Sequence, residues 1–116
     1  MNRNNPILEL SFKFAMDIIE FTETLEEKKK FVLSRQVLRS GTSIGANIRE
    51  AQSSESKPDF IHKMKIASKE AEETEYWLLL CNYSRNYPTN EELVVKVKEL
   101  QKILSSIIYT AKSHLK

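Results

Sequence analysis

Phe60, Met64, Ala67, Ala71, Thr74, Leu78 and Cys81 recur at steps of four and three residues without a break. Leu93, Val97, Leu100, Leu104, Ile107 and Ala111 do the same. Apolar rows at that spacing lie along one side of an α-helix, and each must be buried against another element. Leu8, Phe12, Ala15 and Ile19 mark a similar row near the N-terminus, and Val37, Gly41, Ile44, Ile48 and Ala51 another. No stretch alternates with period two, so the chain contains no evident strand.

Start signals divide the rows. Asn5-Pro6 reads as an N-cap followed by proline at the first helical position. Thr24-Leu25-Glu26-Glu27 fits a capping box, Ser56-Lys57-Pro58-Asp59 a weaker one, and Thr89-Asn90-Glu91-Glu92 another. The four signals predict helices over 6–22, 25–54, 57–86 and 90–115. Only two glycines and three prolines interrupt 116 residues, so the elements are few and long. Helices joined by short turns run antiparallel. The expected fold is all-α, an antiparallel up-down-up-down four-helix bundle formed by one domain over 1–116.

Both glycines, Gly41 and Gly45, fall one turn apart in the second helix, beside Thr42, Ser43 and Ala46. Each costs roughly 1 kcal/mol against alanine in a helix interior, so packing must compensate. Two explanations stand. The gap receives a bulky core residue such as Phe12 or Trp77, or it lets another helix approach closely, within the bundle or between subunits. The spacing is not that of a phosphate-binding loop, and no strand precedes it.

Gln36, Arg39, Ser43, Asn47 and Glu50 form a polar stripe on the same helix, and Glu70 and Glu73 share a face with Trp77. These are either two solvated faces or a partly buried network between helices, which would fix register more than it adds stability. A di-iron bundle needs Glu-x-x-His motifs, and none occurs. His62 lies off the third apolar row and His114 is two residues from the C-terminus, so no preformed metal site is expected. Cys81 lies on the core row and reads as a small hydrophobe. No cofactor, small-molecule substrate or catalytic set is evident.

Two features point outward. Tyr76-Trp77-Leu78-Leu79-Leu80-Cys81 is apolar around the whole helix, more than one bundle normally covers. Tyr76, Trp77, Leu79 and Leu80 are therefore candidates for a subunit interface. Basic residues cluster as Lys28-Lys29-Lys30 with Arg35, and as Lys63, Lys65 and Lys69. They would suit a phosphate-facing surface. Interspersed glutamates suit a plain solvated surface equally, and a net charge of +2 permits a nucleic-acid partner without demanding one. The lone cysteine fits a reducing compartment. The N-terminus lacks the apolar core of a signal peptide, and no apolar run is long enough for a membrane helix. A cytoplasmic location is expected.

SRQVLRSGTSIGANIREA together with DFIHKMKIASKEAEETEYWLLL resembles the four-helix-bundle family encoded in intervening sequences of bacterial 23S ribosomal RNA genes. The second-helix residues Gln36, Arg39, Ser43, Ile44, Asn47, Ile48 and Glu50 carry the likeness, with Lys69-Glu70-Ala71, Glu73-Thr74 and Tyr76-Trp77-Leu78. The accessory variability protein of diversity-generating retroelements is similar in fold. The resemblance implies a ring-like homopentamer and, from the retroelement branch, an RNA or nucleoprotein partner. It also implies a structured role for the polar stripe and supplies no catalytic residue. The competing reading is an oligomeric scaffold that binds another protein and has no nucleic-acid role.

Overall fold

The computed structural model describes residues 5–115, and it contains four helices: α1 (Pro6–Glu27), α2 (Phe31–Ala51), α3 (Lys57–Tyr83) and α4 (Glu91–Ser113). α1 packs on α2 and α4, and α3 packs on the same two. The helices stand at the corners of a square and alternate in direction, giving the expected four-helix bundle. Its long dimension is 51 Å. α3, with 27 residues, spans about 40 Å of that at 1.5 Å per residue.

Two of the expected start signals act as caps. Ser56 Oγ accepts from the Asp59 amide at 3.1 Å, and Asn90 Oδ1 from the Leu93 amide at 3.0 Å. In the fourth helix the cap is thus Asn90, one residue beyond Thr89. Pro6 opens α1, but the Asn5 side chain bonds Gln52 Oε1 at 3.1 Å and caps nothing.

Thr24 is no cap. It lies inside α1, where its hydroxyl donates to the Glu20 carbonyl at 3.4 Å. The helix runs on to Glu27 and ends in a Schellman turn. The Lys30 amide donates to the Leu25 carbonyl at 2.9 Å and the Lys29 amide to the Glu26 carbonyl at 2.8 Å, with Lys29 left-handed at φ 61°. A single three-lysine turn thus connects α1 and α2, and α2 begins at Phe31 rather than 25. The carboxyl ends of α2 and α3 also fall three residues short of those expected.

The core follows the expected rows in α2 and α4 closely and in α3 from Met64 onward. α1 differs. Its buried row is Ile7, Ser11, Phe14, Ile18, Phe21 and Leu25, whereas Phe12 and Ile19 are exposed and Leu8 and Ala15 half-buried. α1 is apolar over a wide arc, and its partner decides which side turns inward. A β-carbon on Gly41 would stand 2.8 Å from Ile18 Cγ1, and one on Gly45 would stand 3.3 Å from Ser11 Oγ and 3.4 Å from the Ser11 carbonyl oxygen. The glycines are therefore close-contact positions within the bundle, and they receive Ile18 and Ser11 rather than Phe12 or Trp77. Ser34 Oγ, donating to the Thr22 carbonyl at 3.2 Å, extends this seam. Among the described residues no buried side-chain polar atom lacks a partner.

Candidate functional site

The polar stripe of α2 faces α3. Arg39 Nη1 meets Glu70 Oε2 at 3.2 Å, and Arg39 Nη2 meets Glu73 Oε2. Trp77 Nε1 donates to the same Glu73 oxygen at 2.9 Å. One helix presents the guanidinium, the next presents carboxylates one turn apart, and the indole locks one of them in place. Spacings of three and four residues put these groups on one edge of each helix. Ser43 Oγ donates to the Arg39 carbonyl at 2.7 Å, and Asn47 Nδ2 to the Ser43 carbonyl at 2.9 Å. These two tie α2 to itself. Glu50 closes the stripe by pairing with Lys63 at 3.4 Å. Gln36 is half-buried on the same edge. The arrangement is a zipper of paired charges along the α2–α3 seam, with the Arg39 side chain still about half exposed.

The basic residues do not gather on one surface. Lys28, Lys29 and Lys30 form the α1–α2 turn at one end of the bundle, with Arg35 exposed one turn into α2. Lys63 and Lys65 lie toward the other end. Lys63 reaches α2, whereas Lys65 stands beside Lys112 of α4, whose hydrogen bond and repulsion pull its pKa down. Lys69 is exposed further along α3. At the three-lysine turn, Lys28 and Lys30 share an open depression of about 510 Å³ with Thr24, Asn86, Tyr87 and Pro88. Lys30 Nζ sits 4.6 Å from the Tyr87 ring centroid, a cation–π geometry. Tyr87 escaped the sequence reading because it comes from the α3–α4 loop, nearly sixty residues away along the chain.

The apolar end of α3 is largely covered within the protomer. Leu78 and Cys81 are buried, Trp77 packs against the core, and Leu79 and Leu80 are half-buried. Tyr76 remains exposed and meets Trp77 edge-on at 5.3 Å. Burial pushes the Cys81 thiol up to about 11, so it is inert as a nucleophile near neutral pH. Among the described residues no three His, Cys, Asp or Glu side chains come together as a metal-holding group. No helix among them is long and apolar enough to cross a membrane.

Residues 3–106 match the family model for the 23S rRNA-intervening sequence protein. This chain belongs to that family. A solved protein is similar over most of the chain: the crystal structure of a protein with unknown function from the S23 ribosomal protein family of Bacteroides thetaiotaomicron. It is 48% identical with a TM-score of 0.82, over 88% of this chain and 97% of that one. A comparison with curated proteins finds no match. The α2–α3 zipper joins the two helices through the ion pairs of Arg39 with Glu70 and Glu73 and of Lys63 with Glu50. Its carboxylates are already paired, and it offers neither a free nucleophile nor an open coordination position.

Proposed function

We propose that this chain is a non-enzymatic, homo-oligomeric accessory protein that binds RNA or a nucleoprotein through the three-lysine end of the bundle. The observation that carries the reading is the depression shared by Lys28, Lys30 and Tyr87. It sets ammonium groups beside an aromatic face, the pairing that single-stranded nucleic acid uses for phosphate contact and base stacking. The likeness to the accessory protein of diversity-generating retroelements supports the same class of partner. The family resemblance adds the expectation of a pentamer, and the lone cysteine that of a cytoplasmic location. One subunit has a net charge of only +2, so repetition of the basic end around an assembly supplies the avidity.

A protein-binding scaffold is the second reading. The Lys63–Glu50 pair favours it, because it removes one of the candidate phosphate contacts.

Filter binding of a single-stranded RNA across a salt series separates the two. RNA binding should weaken with a slope near −0.7 per phosphate neutralised. The double substitution Lys28→Glu with Lys30→Glu should abolish it, and Tyr87→Ala should weaken it. Loss on Lys63→Glu with Lys65→Glu instead would move the site to the other end. No binding at about 50 mM salt would leave the scaffold reading ahead.

A further inference from the structure

We infer that the α3–α4 seam holds a binding site for a phosphate group, formed by Lys65 and Lys112 and flanked by Lys69. The site lies toward the opposite end of the bundle from the three-lysine turn, and it stands or falls separately from the RNA reading above.

The register of the seam is fixed by Gln101 and Glu75. Gln101 Nε2 donates to Glu75 Oε1 at 2.9 Å and to the Ala71 carbonyl at 3.3 Å, and Lys98 Nζ lies 3.9 Å from Glu75 Oε2. Those contacts are complementary. About three turns further toward the α3 start and the α4 end, the antiparallel register brings Lys65 level with Lys112. Their side chains meet. Lys112 hydrogen-bonds Lys65, and its charge pulls the Lys65 pKa down. The seam thus passes from opposite charges to like charges.

No nearby carboxylate relieves the pair. α3 has none from Phe60 to Lys69, and α4 has none from Leu100 to Ser113. At the borders of the α3 stretch, Asp59 accepts from the Glu55 amide and Glu70 pairs with Arg39 on the α2 side. Glu72 stands about 10 Å along the axis from Lys65. Lys65, Lys69 and Lys112 are exposed, and among the described residues none of the three makes an ion pair. With 16 acidic residues against 18 basic ones, composition does not force two lysines together without a counter-charge.

Two ammonium groups that meet in this way form a fork for one compact dianion. Lysine binds phosphate as a point charge, and an anion between the two replaces repulsion with charge-assisted hydrogen bonds. Lys69 adds a third cation one turn along α3, and Tyr109, exposed one turn before Lys112 on α4, offers a neutral hydroxyl. A phosphate monoester carries nearly two charges where a carboxylate carries one, so phosphate gains more from the fork.

Titration of the full chain with inorganic phosphate at about pH 8 and low ionic strength, followed by NMR at the lysine side chains, tests the inference. Binding should saturate, and the Lys65 pKa should rise with phosphate but not with sodium chloride at matched ionic strength. Lys112→Gln should raise the Lys65 pKa without any phosphate, which shows the contact itself. Lys65→Gln and Lys112→Gln should each weaken binding about fivefold, the size of one exposed charge contact, and Lys13→Gln should leave it unchanged. Tighter binding of a nucleoside monophosphate would assign the site to a monoester, and equal binding to the free ion. A titration that never saturates would overturn the site, as would an equal loss on Lys13→Gln. A Lys65 pKa indifferent to Lys112→Gln would overturn the fork.

Discussion

Ile18 of α1 fills the notch that Gly41 of α2 leaves open, and a β-carbon on Gly41 would lie within 3.0 Å of three Ile18 side-chain atoms. Ile18 is fully buried in the core. Gly41→Leu should therefore destabilise the fold by roughly 1–3 kcal/mol through overpacking. Gly45→Ala meets Ser11 at ordinary to tight distance and gains about 1 kcal/mol of helix propensity, so it should stay within about 1 kcal/mol of the parent. Urea unfolding at matched protein concentration checks the order. A Gly41→Leu protein as stable as its parent would contradict the close contact.

Lys29 holds a left-handed conformation that side chains other than glycine adopt at a cost of about 1–2 kcal/mol. Lys29→Gly should stabilise the protein by about 0.5–1 kcal/mol, and Lys29→Val should destabilise it. Thermal unfolding of the two variants measures this. Equal melting of both would mean that the Schellman turn does not set the end of α1.

Arg39 and Glu73 should be coupled weakly, because the guanidinium is half exposed and water screens the pair. A double-mutant cycle with Arg39→Ala and Glu73→Ala is expected to give about 0.5–1 kcal/mol. The value should shrink at high salt. Trp77 is the only tryptophan, so a change in its fluorescence on Glu73→Ala reports loss of the indole hydrogen bond.

Cys81 should resist native-state alkylation at pH 8 by at least about a hundredfold relative to the unfolded chain. Its folded pKa of about 11 lies above the ordinary 9.0 because burial disfavours the thiolate. The folded thiol keeps its proton where the unfolded one has lost it, so this contribution to stability falls as pH rises from about 9 to about 11. Cys81→Ala removes that part of the slope. Rapid labelling of the native protein would show that the α3 core opens readily.

The architecture was legible because periodicity and capping agree over most of the chain. Ser56 and Asn90 cap as their hydroxyl and amide chemistry requires. The α1–α2 turn was not legible. Lysine occupies the left-handed position where glycine is the usual marker, and Thr24 with Glu27 imitates a helix start inside a helix. The buried side of α1 was equally hidden. Ile18 and Ile19 are both suitable for a core, and the choice between them rests with Gly41 on another helix. Arg39, Glu70, Glu73 and Trp77 could each be placed on a face from spacing alone. Their convergence depends on the register of α2 against α3, which no single helix encodes. The Lys30–Tyr87 contact joins two loops and left no periodic trace.

Native mass spectrometry of the unmodified protein at micromolar concentration tests the central claim most directly. The polypeptide is 13.5 kDa. A discrete species at a whole-number multiple of that mass is expected, five-fold if the family resemblance carries over. A single species at 13.5 kDa across the concentration range would contradict self-association.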